Sequence, residues 1–152
     1  LHLVRDSRAV AFSWRRRRRM PEVTTEERYM PLKSPVRSAL YWDLENVALH
    51  VLRRSVRRYQ LVRYEALTAR PYEVLGGVLE RLGLHADLGF LRDGRLRLGT
   101  NHTVAGNPLR FDRGEILIQP DAEWRERLGR GPRWLVTALT LPLLLRYGFL
   151  RP

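Results

Sequence analysis

The chain contains no cysteine. Disulfides, thiolate zinc sites and cysteine nucleophiles are excluded, and a disulfide-stapled secreted fold goes with them. Lysine is almost absent, Lys33 being the single one. No Gly-x-x-x-x-Gly-Lys loop and no Gly-x-x-Arg-Ser-Gly loop occurs, so the chain lacks a glycine-rich phosphate cradle. Long apolar runs are missing too. The longest, Trp134 to Leu145, has 12 residues and is broken by Pro142. A bilayer span needs about 20, so no membrane span is expected and the stretch reads as a buried C-terminal helix. The four histidines are scattered, and no pair has the helical spacing of metal ligands. No secretory leader is visible. The chain opens on Leu1 and runs directly into a β-prone stretch, which reads as a fragment or as a sequence whose start is lost.

What is abundant is arginine. Lysine and arginine total 28 against 16 acids, a formal net charge of +12 in 152 residues. With one lysine, 27 of those cations are arginine. The guanidinium fork fits phosphate and sulfate through two parallel hydrogen bonds. The balance therefore favours an anionic partner, either a nucleotide, a nucleic acid, a sulfated product or an acidic membrane. The plain alternative is an arginine-biased solvated surface. Hydrophobic residues at 44% and charged residues at 29% are ordinary for a globular chain.

Periodicity places the elements. Leu1–Val4 reads as a strand, Asp6-Ser7 as a turn or cap, and Arg8–Arg15 as a helix start. Five arginines follow at 15–19, then a proline-broken polar stretch to Pro35 that reads as a loop or lid, with a capping box at Thr24 and Glu27. Ser38–Arg58 is the clearest helix: Leu40, Leu44, Val47 and Val51 recur at three- and four-residue steps, which predicts a buried apolar face. Tyr59–Tyr64 reads as a strand. Pro71 opens a second amphipathic helix, with Val74, Leu75, Val78, Leu79 and Leu82 on one face and Gly83 at its end. Phe90–His102 is irregular, Ile116–Ile118 is a short strand, and Asp121 caps a helix through Trp124 to Leu128. The alternation of helix and strand predicts an α/β layer fold with a parallel sheet.

Three segments, in order, carry a resemblance. The first is Leu3-Val4-Arg5-Asp6-Ser7-Arg8-Ala9-Val10 with Ser13-Trp14 after it. The second is Leu61-Val62-Arg63-Tyr64-Glu65-Ala66-Leu67, followed by Pro71 and Leu82-Gly83-Leu84. The third is His102 to Phe111, followed by Asp121, Trp124 and Arg146-Tyr147-Gly148-Phe149. Together they resemble the C-terminal part of the sulfotransferases that use 3′-phosphoadenosine 5′-phosphosulfate, in the bacterial version. The resemblance implies one α/β domain spanning 1–152: a P-loop-like parallel sheet flanked by helices, with the N-terminal strand-loop-helix missing. It implies that Arg5 and Ser13 bind the nucleotide 3′-phosphate and that Tyr64 lies near the adenine. Glu65 is expected to anchor backbone or arginines. The family usually has proline where Ser7 stands. In its cytosolic branch the C-terminal nucleotide loop begins Arg-Lys-Gly, where this chain has Asn101-His102-Thr103. Arg110 is the candidate replacement cation, in a loop with Asn107 and with Gly106 to permit close backbone approach. His102 is either a phosphate donor or a structural group.

The resemblance implies sulfuryl transfer from the nucleotide donor to an unidentified hydroxyl or amine acceptor, with no metal, in the cytoplasm. The family's phosphosulfate loop lies upstream of the first matched segment, so this chain alone is expected to be inactive and no catalytic residue is assigned. Alternatives stand beside these readings. Arg5 forms a salt bridge with Asp6 or a neighbour, Tyr64 packs in the core, and Arg110 pairs with Asp112, Glu115 or Asp121. The rival function is a basic nucleic-acid-binding module, supported by the +12 charge and Arg15–Arg19 beside Trp14; no nucleic-acid motif accompanies it. A nucleotide kinase would need the absent lysine loop.

Overall fold

A computed structural model describes residues 1–17, 19, 29–92, 94–98 and 114–150. The fold is mixed α/β, with a small two-stranded parallel sheet and helices. The chain gathers into two compact units, one drawn from 1–16, 31–65 and 121–150, the other from the segments between them.

In the first unit, strand β1 (His2–Val4) pairs in parallel with β2 (Leu61–Arg63), His2 opposite Leu61 and Val4 opposite Arg63. Helix α1 (Ser7–Ser13) starts two residues after β1 because Asp6 caps it, its carboxylate accepting from the Arg8 amide at 2.9 Å. Arg8 folds back on the same carboxylate with Nε at 2.9 Å and Nη2 at 2.6 Å. Ser7, where the sulfotransferases that the sequence resembles usually have proline, is buried and hydrogen-bonds the buried Thr140 hydroxyl at 2.7 Å. Its hydroxyl ties α1 to the C-terminal helices, a contact that proline cannot make.

Helix α2 (Pro35–Leu52) begins earlier than the periodicity indicated. Ser34 caps it through the Arg37 amide, and Pro35 occupies the first turn, where its missing N–H costs nothing. A short 3-10 turn (Arg53–Ser55) ends it. The face it buries is the reverse of the one expected. Ser38, Ala39, Trp42 and Asn46 point inward, while Leu40, Leu44, Val47 and Val51 are 48–65% exposed. The reason lies in the partners. Ala39 meets Ala11 of α1 and Val136 of α6 (Arg130–Leu139), all fully buried, and so close a three-helix contact requires small side chains. Trp42 packs with Val4, Leu144 and Tyr147, backed by Val10, Leu61 and Phe149.

The C-terminal apolar stretch is two helices, α6 and α7 (Leu141–Arg146), which meet at Thr140, with Pro142 in the first turn of α7. Val136 and Leu144 are fully buried, but Trp134 is 74% exposed, so the stretch is amphipathic rather than wholly buried. Asp121 does not cap α5 (Trp124–Arg127): Glu123 holds the cap position without a side-chain bond, and Asp121 pairs elsewhere.

In the second unit, α4 (Pro71–Leu82) buries Val78 and half-buries Val74, Leu75, Leu79 and Leu82, the face expected of it. Gly83 ends it in the left-handed region (φ 64°), with the Leu84 amide donating to the Leu79 carbonyl at 2.9 Å. The preceding short helix α3 (Tyr64–Ala69) begins directly after β2. The stretch read as irregular holds strands β3 (Leu91–Arg92) and β4 (Arg95–Leu98), which form an antiparallel sheet with β5 (Gly114–Leu117). Gly94, at φ 70°, serves the β3–β4 connection. No helix among the described residues is long and apolar enough to cross a membrane.

Candidate functional site

The register of the parallel pair decides what meets at its end. Val4 lies opposite Arg63, so Arg5 and Tyr64 leave the sheet side by side at its C-terminal edge. The Arg5 guanidinium carbon lies 4.6 Å from the Tyr64 ring centroid, within cation–π range. Arg5 Nη2 donates to Asp121 Oδ2 at 2.8 Å, with 21% and 27% of the two side chains exposed. Arg5 Nε is buried and has no hydrogen-bond partner among the described residues. The backbone beneath is fastened from two sides: Trp42 Nε1 donates to the Arg5 carbonyl at 2.9 Å, and the Asp6 amide donates to Glu65 Oε1 at 3.0 Å. Glu65 thus anchors backbone, as its position after the tyrosine suggested.

A carboxylate already caps the start of α1. The Arg8 amide is taken by Asp6 Oδ1 and the Asp6 amide by Glu65. Ser13 is the last residue of α1. It lies about 9 Å along the axis from Ser7, at 1.5 Å rise per residue, and its hydroxyl makes no hydrogen bond among the described residues. The structure therefore brings Arg5 and Tyr64 together and adds Asp121, while Ser13 stands at the other end of the helix. Gly106, Asn107, Arg110, His102 and the Thr24–Glu27 capping box lie outside the described residues. Two of the acids considered as partners for Arg110 are engaged by other arginines, Asp121 by Arg5 and Glu115 by Arg95 at 3.5 Å.

Part of the arginine run is also engaged. Arg16 pairs with Glu123 and lies over the Phe12 ring at 4.7 Å. In the second unit, Arg17 lies over Tyr29 at 4.3 Å. An open groove of about 490 Å³ in that unit, lined by Arg70, Pro71, Tyr72, Glu73 and Leu91, holds none of the candidate ligand-binding residues. Among the described residues no three His, Asp or Glu side chains converge as metal ligands.

No family model, curated protein or solved structure matches this chain.

A second polar cluster, unforeseen from the sequence, surrounds His2 at the opposite end of β1. His2 is buried. Its Nε2 meets Asn46 Oδ1 at 2.9 Å and its Nδ1 meets the Tyr59 hydroxyl at 2.5 Å. Asn46 Nδ2 donates to the Trp42 carbonyl at 2.7 Å, and the Tyr147 hydroxyl donates to Asn46 Oδ1 at 3.2 Å. Tyr147 also meets His50 Nε2 at 2.7 Å, with the two rings stacked. The Tyr147 proton goes to Asn46, so His50 donates through Nε2–H, leaving its buried Nδ1 bare. With both histidines neutral, each contact in the cluster has one donor and one acceptor, and His50 Nδ1 alone of the ring nitrogens has no partner among the described residues.

Electrostatics agree with that assignment. Burial lowers the pKa of His2, with Asn46 opposing the shift. Burial also lowers that of His50, helped by Arg146, His2 and Arg53. Burial, reinforced by Tyr59 and Asp43 against Arg146, pushes Tyr147 up to about 12. The signs give a stability window. The unfolded chain binds protons at its histidines below about pH 6.5, where the folded chain resists them, so stability falls as pH drops through that value. Above about pH 10 an unfolded tyrosine ionises, while Tyr147 holds its proton to about 12, so stability is lost over that interval. Thermal midpoints should be level from about pH 7 to 9 and fall on both sides. Burial raises the pKa of the Asp43 carboxyl, which gives the opposite slope, so the test is made in Asp43→Asn: there, a midpoint unchanged from neutrality down to about pH 5 would rule out the neutral-histidine assignment.

Proposed function

We propose that this chain holds the 3′-phosphate and adenosine end of 3′-phosphoadenosine 5′-phosphosulfate, as part of a sulfotransferase whose P-loop-like parallel sheet includes β1 and β2. The observation that supports this best is the meeting of Arg5 and Tyr64 at the C-terminal edge of two parallel strands, where open α/β sheets take their ligands. The three ordered sequence segments support the same reading.

Each side chain has a task in this reading. Asp121 orients the Arg5 fork through Nη2. Arginine carries five donors, so one carboxylate leaves others for a phosphate. Nε is buried with no partner among the described residues, which is costly, and an anion at the guanidinium edge would supply an acceptor. Tyr64 covers one face of the guanidinium and presents an aromatic surface to a purine. The Asp6 carboxylate already caps α1 through the Arg8 amide, so in this reading the Arg5 side chain is the main hold on the phosphate. Sulfuryl transfer to a hydroxyl or amine acceptor would rest mainly on positioning and charge neutralisation.

Calorimetry with adenosine 3′,5′-bisphosphate tests the assignment. Arg5→Ala should weaken binding by about 1.5–3 kcal/mol, the range for hydrogen bonds to charged groups. It should leave adenosine 5′-monophosphate, which has no 3′-phosphate, unaffected. Equal affinity of the variant and the parent chain for the bisphosphate would remove Arg5 from the site.

A further inference from the structure

The segment Val51-Leu52-Arg53-Arg54-Ser55-Val56-Arg57-Arg58 runs from the last turn of α2 through the 3-10 turn, and all of its residues are exposed. Val51 and Leu52 are each 58% open to solvent and Val56 50%. Leu44 and Val47, also exposed, precede Val51 at helical spacing and extend the aliphatic strip along α2. The strip ends in arginine pairs. Arg53, Arg54 and Arg57 form no ion pair among the described residues. The sequence has no acid between Glu45 and Glu65. Uncovered aliphatic side chains and uncompensated cations thus share one exposed end of the first unit.

Each half of this patch would suit several partners, but the combination suits one. Nucleic acid would take the arginines but offers nothing to Val51, Leu52 and Val56, and single-strand binding depends on aromatic platforms, which the run lacks. A protein groove would take the aliphatics while leaving the arginines without matched acids. An anionic bilayer takes both, with phosphate at the head-group level and hydrocarbon just beneath. We propose that the Val51–Arg58 end of α2 docks this protein on an anionic phospholipid surface. The arginines meet head-group phosphates, and Val51, Leu52 and Val56 enter the acyl boundary. This is attachment from one side and involves no span.

Sedimentation of the chain with phospholipid vesicles tests it. Binding should be strong to phosphatidylcholine vesicles containing one third phosphatidylserine, and absent with phosphatidylcholine alone. Arg53→Gln with Arg54→Gln should weaken binding about 25-fold, from the worth of each basic residue near such a surface. Val51→Ser with Leu52→Ser, at unchanged charge, should weaken it as well. Because these positions are exposed, folding should survive, and Val56→Ser repeats the serine test outside the helix. Arg125→Gln with Arg130→Gln removes two exposed charges elsewhere and should leave binding as it was. Three results would overturn the proposal. One is failure to bind the anionic vesicles, and another is equal loss from the Arg125 and Arg130 control. The third is full binding by both serine variants together with displacement by a single-stranded oligonucleotide, which would favour nucleic acid.

Discussion

Trp42→Ala should destabilise the protein by about 3–5 kcal/mol, the usual cost of emptying a buried tryptophan site. The indole is 5% exposed and packs with Val4, Leu144 and Tyr147, so its removal opens a cavity where β1, α2 and α7 meet. It also deletes the Nε1–H that holds the Arg5 carbonyl at 2.9 Å. The two losses separate in a second variant. Trp42→Phe keeps most of the volume and forfeits the hydrogen bond, and should cost about 1–3 kcal/mol. Urea denaturation followed by circular dichroism measures both. A loss under about 1 kcal/mol for the alanine variant, less than any core truncation of this kind, would mean that this cluster is not the centre of the fold. In the proposed reading, the phenylalanine variant should also weaken nucleotide binding, because the Arg5 backbone loses one of its two fastenings.

Asn46→Ala is expected to cost about 3 kcal/mol, since it strands more than one buried group at roughly 1–3 kcal/mol each. Asn46 Oδ1 is the common acceptor for His2 and Tyr147, and its side-chain amide also donates to the Trp42 carbonyl. The change deletes little apolar contact, so the loss would come from the network. A double-mutant cycle with Tyr147→Phe makes this specific. Tyr147→Phe removes one of the donors that Asn46 serves, so the two effects should be less than additive, by about 0.5 kcal/mol or more for groups in one network. Strict additivity in denaturant midpoints would show that Asn46 and Tyr147 act independently, and the cluster would not be a single unit.

The elements that could be read from sequence are those set by local chemistry. Asp6 offers a carboxylate to the first amides of α1, and Pro71 and Gly83 bracket α4. Each acts within a few residues, so no partner is needed to predict it. Boundaries slipped where the signal had two readings: Pro35 looked like part of a loop, yet it opens α2 behind the Ser34 cap. Of the antiparallel sheet only the strand at Ile116–Ile118, where β5 forms, was legible; β3 and β4 were missed because they are short and charged, and a run such as Arg95-Leu96-Arg97-Leu98 offers only two apolar residues to mark it. Asp121 was misassigned for a related reason. An acid before a helix is a good cap by local rules, but an arginine 116 positions away claimed it.

The α2 helix shows the limit of periodicity. The spacing of Leu40, Leu44, Val47 and Val51 places them on one face, and the structure agrees. Which face turns inward is set by what packs against it. Ala11 and Val136 require a small residue at Ala39, and Trp42 and Asn46 face the β1 strand and Tyr147. The aliphatic strip is left outside, next to an arginine-rich end.

From sequence alone came β1, β2 and the helices α1, α2 and α4 as types, the start of α1, both ends of α4, the +12 charge and the placement of Arg5 at the end of a strand. These depend on backbone preferences and on residues a few positions apart. The tertiary structure decided that Arg5 meets Tyr64 and Asp121, that His2 joins Asn46 and Tyr59, and which face of α2 is buried. Those contacts join residues up to 116 positions apart. Their partners are chosen by strand register and by the sizes of side chains packed between elements, and neither is encoded in the local spacing of any one segment.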